Sequence, residues 1–361
     1  MDNFNKKDLE KIDILSLDLP QLENVMAELG EKKFRAKQIF QWLHIKKVFS
    51  FDDMTDISVQ LRTKLKDIFC IKSLFIAKRL ESSIDNTVKY LYRLPDGNYA
   101  ETVLMEYHYG MSICVSTQVG CKMGCNFCAS AIAGFVRNLT PSEILMQIYM
   151  TEKDRNIKVS GVVLMGIGEP LDNYENVLKF LRLVSDKNGN NLSLRHISLS
   201  TCGIVPKIYE LAEEKFGLTL SVSLHSPYDD ERSKIMPVNR RYSIDELLKA
   251  CRFYIEKTGR RITFEYAVID GVNNSPEDGN HLVSILKGMN CHVNIIPVNK
   301  VRERNYSSKK SEAESFAQYL SKKGLNATVR RTLGSDIDAA CGQLRRDTLK
   351  FEKTGGVNYE S

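Results

Sequence analysis

From residue 110 onward, short apolar segments alternate with longer amphipathic ones, and this alternation constrains the fold more than any other feature of the chain. Strands that alternate with helices form a parallel sheet that is closed or partly closed into a barrel. The chemistry of such barrels lies at the carboxyl ends of the strands. The predicted strands are 112–116, 161–165, 196–200, 218–223, 262–268, 292–297 and 327–332. The predicted helices between them are 141–152, 173–185, 206–215, 244–258 and 277–287.

The first third of the chain has a different pattern. Apolar residues recur at helical spacing within 22–29, 36–43 and 59–69, which predicts a small helical domain. Two β-forming runs, 88–94 and 99–105, then flank a turn sequence and predict a hairpin. The predicted organisation is a helical domain at 1–75, a β-hairpin linker at 76–106, a core at 107–349 and a flexible tail at 350–361.

Composition narrows the class of protein. The 361 residues are enough for a barrel and an accessory domain, and the net charge of +6 is compatible with binding to nucleic acid. No apolar run is long enough to span a bilayer, and the polar N-terminus does not have the pattern of a signal peptide. We therefore expect a cytoplasmic protein without a membrane segment. No feature requires more than a monomer.

Three of the nine cysteines, Cys121, Cys125 and Cys128, have the spacing C-x3-C-x2-C. Three thiolates on one short loop can bind three irons of a four-iron cube and leave the fourth iron open to a small molecule. A zinc site is the main alternative, but the chain has no second pair of ligands near this loop. A structural disulfide is disfavoured by the reducing cytosol. The pattern favours an iron–sulfur cluster.

Polar residues follow several predicted strands. Gly168 and Glu169 lie in a glycine-containing turn after strand 161–165, where the backbone can approach a ligand closely and the carboxylate can accept a hydrogen bond from an ammonium group. Taken singly, such residues are ordinary turn or capping residues. Together they predict a ligand site at one mouth of the barrel. The others are Ser200, Ser223, Leu224, His225 and Asn299.

Two further cysteines are candidates for chemistry. Cys114 lies on the strand that leads into the cluster loop, and Cys341 lies in a segment of small residues after the last strand. A lone cysteine is most often a small buried apolar residue, and we assign that role to Cys70, Cys202, Cys251 and Cys291. The flanking glycines and acidic residues of Cys341 are instead compatible with an exposed nucleophile.

Taken together, these motifs resemble the RlmN/Cfr family of radical S-adenosylmethionine (SAM) RNA adenine methyltransferases. The resemblance extends over nearly the whole chain, and its most specific part is the run 334–344 that contains Cys341. It implies a partial (β/α)6 TIM-like barrel as the radical SAM core, with the small helical domain as an accessory. The run Gly-Glu-Pro-Leu at 168–171 resembles the RlmN branch, which methylates adenine C2, rather than the Cfr branch, which methylates C8.

The resemblance also implies roles for single residues. Cys121, Cys125 and Cys128 would bind one [4Fe-4S] cluster, and Gly168, Glu169 and the strand-end residues named above would bind SAM. Cys341 would accept a methyl group from one SAM, and a second SAM would be cleaved to a radical that abstracts a hydrogen from that methyl. The methylene radical would add to adenine C2. Glu101 would accept the C2 proton, and Cys114 would release the product by forming a disulfide with Cys341.

Substrates and partners follow from the same resemblance. The implied substrates are an adenosine of 23S rRNA in the peptidyl-transferase region and the tRNA adenosine 3′ of the anticodon, with flavodoxin or ferredoxin as the electron donor. The basic residues of 32–47 and the pair Arg240 and Arg241 are candidate phosphate contacts. Three alternatives stay open: methylation of C8, a radical SAM enzyme that acts on a substrate other than RNA, and a zinc-dependent RNA-binding module.

Overall fold

The computed structural model describes residues 11–132, 134–297, 309–337, 344–345 and 348. Its main feature is a sheet of ten strands, and the neighbouring strands from β6 to β14 run parallel. The parallel strands are β6 (Gly110–Cys114), β9 (Val159–Leu164), β10 (Ile197–Thr201), β11 (Thr219–Ser223), β12 (Ile262–Val268), β13 (Cys291–Pro297) and β14 (Ala327–Val329). The predicted strands and the α/β fold class are confirmed.

Helices connect these strands as a partial (β/α)6 barrel requires. They are α4 (Ala129–Ile132), α5 (Pro141–Arg155), α6 (Tyr174–Ser185), α7 (Val205–Glu213), α8 (Asp229–Ile235), α9 (Ile244–Thr258), α10 (Pro276–Leu286) and α11 (Lys310–Lys322). Helices α5, α9 and α10 begin at a Thr or Ser cap that forms a capping box, which fixes where each connection ends. The strand ends are thereby held at defined positions.

The other strands extend the same sheet. Strands β3 (Phe75–Glu81), β4 (Val88–Arg93) and β5 (Tyr99–Tyr107) join β6 as an antiparallel edge. The predicted hairpin is therefore present, and a third strand precedes it. Two short pairs, β1 (Ile12–Asp13) with β2 (Phe69–Cys70) and β7 (Gln118–Val119) with β8 (Arg137–Asn138), lie outside the main sheet.

The N-terminal region contains the three predicted helices. They are α1 (Leu19–Glu28), α2 (Phe34–His44) and α3 (Val59–Ile68). Their apolar faces, including Leu22, Phe40 and Leu61, are buried and join the same core as the barrel. The buried ring of His44 accepts or donates a hydrogen bond with Tyr149 of α5 at 3.0 Å, so this region rests directly on a barrel helix. Within the described ranges, no helix is both long and apolar enough to cross a bilayer.

Candidate active site at the strand ends

The cysteine loop is held by backbone contacts on both sides. Before the first cysteine, Gly120 has a φ of +78°, and a Cβ at this position would lie 1.6 Å from the carbonyl oxygen of Gly134. Only glycine is compatible with that approach. Within the loop, the backbone N–H of Asn126 donates to the carbonyl oxygen of Ile235 at 2.8 Å, which attaches the loop to α8. The loop conformation is thus set before any cofactor binds.

Cys121, Cys125 and Cys128 are partly exposed and near one another. Burial raises the pKa of the Cys121 thiol to about 12, and the nearby Cys128 and Glu169 act in the same direction. Burial likewise raises the pKa of Cys125, with contributions from Cys128 and Cys121. The thiols of Cys121 and Cys125 would ionise only when a cation takes the place of their protons, which is how thiolates bind metal.

The donor set of this loop fits an iron–sulfur cluster. Three thiolates are ligands that a cube takes from a protein when one of its irons stays open. Cys125 packs against the apolar cluster that contains Cys202 and Met236, which would exclude water from one side of the group. Within the described residues, no group of three or more His, Cys, Asp and Glu side chains is arranged as a metal-ion site.

Glu169 is buried at the end of β9, and its carboxylate is already oriented. Oε2 accepts a hydrogen bond from the backbone N–H of Cys202 at 2.7 Å, and Oε1 accepts one from the backbone N–H of Leu171 at 3.0 Å. Burial raises its pKa, and these hydrogen bonds oppose the rise. Glu169 also interacts electrostatically with Cys121 and Cys125. A cationic group bound beside the thiols would therefore meet an anionic acceptor.

The two glycines of the turn that contains Glu169 allow it to pack closely against the segment between β6 and the cysteine loop. A Cβ at Gly166 would lie 2.6 Å from the carbonyl of Val115, and one at Gly168 would lie 2.6 Å from Cβ of Gln118. Gly168 also has a φ of +110°, which favours glycine. Gln118 uses this proximity, since its Oε1 accepts a hydrogen bond from the backbone N–H of Glu169 at 2.9 Å. The turn and the cysteine loop therefore form one unit.

The segment 223–225 continues the site at the end of β11. His225 has a φ of +58°, and its ring meets the ring of Phe127 edge-on at a centroid distance of 4.7 Å. Its Nδ1 accepts a hydrogen bond from the backbone N–H of Ala267 at 2.9 Å, so the proton of the neutral ring must be on Nε2. Burial lowers the pKa of His225 to about 3. The ring is therefore a neutral donor beside the cysteine loop.

Ser223, Leu224 and Ser200 are at the predicted strand ends. The backbone N–H of Leu224 donates to the carbonyl of Glu265 at 3.0 Å, which ties the end of β11 to β12. Ser200, on β10, pairs in register with Ser221 of β11 and is half-buried. These residues line the same edge of the sheet as Glu169. Asn299 and Cys341 lie outside the described residues.

Glu101 on β5 is almost fully buried. Its Oε2 lies 3.2 Å from Nζ of Lys89, and both side chains are only 1% exposed. Its Oε1 accepts a hydrogen bond from the backbone N–H of Arg345 at 2.6 Å. A buried ion pair of this kind is stable only with such additional hydrogen bonds. The contact brings a residue close in sequence to Cys341 onto β5.

Cys114 is buried on β6 in a small apolar cluster with Val103, Met105 and Leu333. Its register partner on β5 is Val103, two residues from Glu101. Ser116 links this region to the turn that contains Glu169. Its hydroxyl donates to the carbonyl of Glu101 at 2.6 Å and accepts from the backbone N–H of Ile167 at 3.0 Å. Described residues on both sides of Cys341, Leu333 and Arg345, therefore lie beside Cys114 and Glu101.

Four residues of this site were not anticipated from the sequence. Lys89 and Gln118 contact the predicted residues directly, as described above. Cys202, which we assigned to packing, is indeed buried, but its backbone N–H also orients Glu169. Arg232 of α8 is fully buried behind Cys125 and donates hydrogen bonds to the carbonyls at the ends of β10 and β11.

Lys47, a candidate phosphate contact, instead forms an ion pair with Glu152 inside the protein.

Comparison with known families agrees with this geometry. Residues 12–71 match the model of the ribosomal RNA large subunit methyltransferase N-terminal domain, and residues 115–278 match the model of the radical SAM superfamily. The second match includes the cysteine loop and the turn containing Glu169.

Similar proteins extend the comparison to the whole chain. A probable dual-specificity RNA methyltransferase RlmN from Lachnoclostridium phytofermentans is 51% identical over 93% of this chain and 95% of its own length. The RlmN of the same description from Clostridioides difficile is 53% identical over 93% of this chain and 98% of its own. A crystal structure of a radical SAM methyltransferase from Sphaerobacter thermophilus superposes with a TM-score of 0.88 at 40% identity, covering 92% of this chain and 98% of that one.

Proposed function

Because this chain belongs to the RlmN family of radical SAM methyltransferases, we propose that it methylates C2 of adenosine in 23S rRNA, in the peptidyl-transferase region, and in tRNA, 3′ of the anticodon. The observation that carries the proposal is the meeting of two sets of residues at one edge of the sheet. Cys121, Cys125 and Cys128 with Glu169 form one set, and Cys114 with Glu101 forms the other, linked through Ser116.

The cysteine loop would hold the cofactors. Cys121, Cys125 and Cys128 would bind one [4Fe-4S] cluster, and Glu169 would accept hydrogen bonds from the amino group of SAM. Gly168, Ser200, Ser223, Leu224, His225 and Asn299 would complete the SAM site, with His225 donating from Nε2. When bound, the cluster and SAM supply a carbon radical through one-electron cleavage of SAM.

The other set would carry the methyl carbon. Cys341 would take a methyl group from one SAM and deliver it to C2, and Glu101 would accept the C2 proton. The Cys114 thiolate would then attack the sulfur of Cys341, forming the S–S bond as the S–C bond breaks. The electron pair of that bond goes to the carbon, which takes a proton and leaves as a methyl group, and the single electron that radical addition leaves on the base would be returned to the one-electron carrier. Two SAM molecules would be used per turnover.

The remaining features of the proposal concern context. Residues 1–75 would dock RNA, 76–106 would connect that domain to the core at 107–349, and 350–361 would be a flexible tail. Arg240 and Arg241 are exposed next to α8 and would contact phosphate. We propose a cytoplasmic monomer that is reduced by flavodoxin or ferredoxin.

The test is a product analysis. The anaerobically reconstituted protein is incubated with SAM, a one-electron reductant and either tRNA or a 23S rRNA fragment, and the RNA is digested and analysed by mass spectrometry. We expect 2-methyladenosine in both RNAs. Detection of 8-methyladenosine would overturn the C2 assignment, and iron-free protein that contains zinc would overturn the radical mechanism.

A further inference from the structure

Arg232 is a cation enclosed in the protein next to the cysteine loop. It lies on α8, and its side chain is 0% exposed. Its three nitrogens donate to four oxygens, all of them neutral. These are the carbonyls of Leu224 at 3.1 Å, Cys202 at 2.8 Å and Ser223 at 2.9 Å, and Oδ1 of Asn239 at 2.7 Å. In the part of the chain that the structure describes, no carboxylate forms an ion pair with it.

A buried charge without a counter-charge is costly. Hydrogen bonds to carbonyl dipoles offset part of the desolvation, but a fully enclosed cation normally has an anion nearby. Burial accordingly lowers the pKa of Arg232, and Cys202, Cys125 and the carboxylate of Asp229 act in the opposite direction. Arginine nevertheless stays protonated in proteins, so the charge is fixed. The fold thus maintains a buried positive charge whose direct hydrogen-bond partners are all neutral, and the carboxylate of Asp229 acts on it only from beyond Asn239.

The cysteine loop is attached to the element that carries this charge. The backbone N–H of Asn126 donates to the carbonyl of Ile235, and its side-chain amide donates to the carbonyl of Lys234. Cys125 packs in one apolar cluster with Ile235 and Cys202, and the Cys202 carbonyl accepts from Arg232. Arg232 and Cys125 interact electrostatically, and the full burial of Arg232 limits the screening of this interaction by water.

We propose that Arg232 is the fixed counter-charge of the iron–sulfur cluster and raises the cluster's reduction potential. The inference rests on the proposed ligation of the cluster by Cys121, Cys125 and Cys128. An oxidised cube with three thiolates carries one net negative charge, and one electron from flavodoxin or ferredoxin makes it two, with no proton taken up. A nearby cation stabilises the reduced form more than the oxidised form. It therefore favours transfer of an electron from the donor protein to the cluster, the step that must come before cleavage of SAM.

The same contacts make Arg232 a positioning residue. Its guanidinium joins the ends of β10 and β11, where Cys202 orients Glu169 and where Ser223 and Leu224 lie. The charge and the hydrogen bonds are therefore two separate contributions. An experiment must vary one without the other.

The experiment measures the midpoint potential of the reconstituted cluster in four variants. Arg232→Gln removes the charge, and Asn239→Asp neutralises it by placing a carboxylate on the guanidinium. Arg232→Lys and Asn239→Ala keep the charge and disturb the same hydrogen bonds. We expect both charge-removing variants to lower the equilibrium constant for reduction at least tenfold, which is 59 mV for a one-electron couple. We expect the two charge-keeping variants to stay within threefold of the parent protein, about half that shift on the same scale.

The outcomes are distinct. Equal potentials in all five proteins, or equal losses in all four variants, would overturn the role of the charge. If Arg232→Gln does not fold or does not load iron, Asn239→Asp still decides the question, because Arg232 is retained in it. A parent protein that contains no iron after reconstitution would instead contradict the proposed cluster site, so the two failures can be told apart.

Discussion

The two walls of the site are built in different ways. The cluster wall consists of residues 118–128, 166–171, 201–203 and 223–239, and its side chains are oriented by backbone groups of adjoining loops, as Glu169 is by Cys202 and Leu171. The hairpin wall consists of β4, β5, Cys114 of β6, and residues 82–87, 333–337 and 344–345. It is joined by contacts between residues far apart in sequence: Asp336 and Ser82, which are 254 residues apart, form a hydrogen bond of 2.7 Å.

This difference indicates that the two walls serve different steps of the reaction. The cluster wall is completed by the barrel itself, so its geometry is ready for a cofactor. The hairpin wall is complete only when residues 333–337 and 344–345 dock against residues 82–87 and β5. Damage to the first wall should therefore remove the cofactor, and damage to the second should leave the cofactor and stop a later step.

The largest effect is expected on the cluster wall. Cys125→Ala leaves two thiolates for the cube, so the protein should lose nearly all iron and sulfide after anaerobic reconstitution and all RNA methylation. Iron analysis and the visible absorbance of the cluster are the measurements. Cys251→Ala, in the buried side of α9, is the matched control and should keep its iron. Loss of iron in both variants would show that cluster loading responds to general damage.

The second-largest effect should distinguish the two walls, because the substitution should leave the cluster bound and block only the release of the product. Cys114→Ala should keep the cluster but accumulate RNA covalently bound to the protein, because the second thiol that releases the product is missing. Gel electrophoresis under denaturing conditions detects the adduct. Cys291→Ala serves as control and should give none. An adduct-free Cys114→Ala protein that turns over normally would contradict the assigned mechanism.

Glu101→Gln should lower the rate of methylation by about 10²- to 10⁴-fold, the usual contribution of a general base. The cluster content should be unchanged, since Glu101 belongs to the hairpin wall. The variant also leaves Lys89 beside a neutral amide, so its melting temperature should fall. Glu106→Gln, at an exposed position of the same strand, is the control. Equal rates for the two variants would remove Glu101 from the mechanism.

The smallest effect concerns the docking of the C-terminal segment. Asp336 accepts hydrogen bonds from the Ser82 and Ser83 hydroxyls and from the backbone N–H of Ser83, which hold its pKa at about 2. A lowered acid pKa stabilises the docked form above pH 3.8, and that contribution is lost as pH falls towards 2. Asp336→Ala should therefore slow methylation about threefold to tenfold at neutral pH.

For this variant, the cluster content and the melting temperature should match those of the parent protein. Hydrogen exchange should be faster in 82–87 and 333–337 only. Asp53→Ala, on the N-terminal helical region, is the control for removal of an exposed carboxylate. Faster exchange throughout the barrel would mean that Asp336 supports the fold rather than the docking.

The strands behind the cluster wall were easier to predict from the sequence than the strands of the hairpin wall. Strands β9 to β13 are short apolar runs between helices, and the cysteine spacing is local, so both can be recognised within a few residues. Strand β3 was missed because most of its residues are exposed and several are charged, which hides the alternation of an edge strand. Its pairing with β4 is a tertiary contact.

Lys89 and Arg232 escaped prediction for related reasons. Five consecutive residues of β4 are buried, so the strand lacks the alternating pattern that would have marked Lys89 as unusual. Arg232 lies in a run of acidic and basic residues that resembles a solvated helix face, and only the packing of α8 under the cysteine loop encloses it. Burial of a charge depends on residues distant in sequence, which no local pattern reports.

The long-range contact between Asp336 and Ser82 also has a consequence for biosynthesis. The ribosome makes the residues of the cluster wall well before Asp336 and Arg345, and chains fold progressively from the N-terminal side. On the proposed function, the nascent barrel would therefore be able to bind its cluster while the hairpin wall still lacks residues 333–337 and 344–345. A chain interrupted after residue 330 would then bind cofactor without methylating RNA, so the order of synthesis would separate radical formation from methyl transfer until translation is nearly complete.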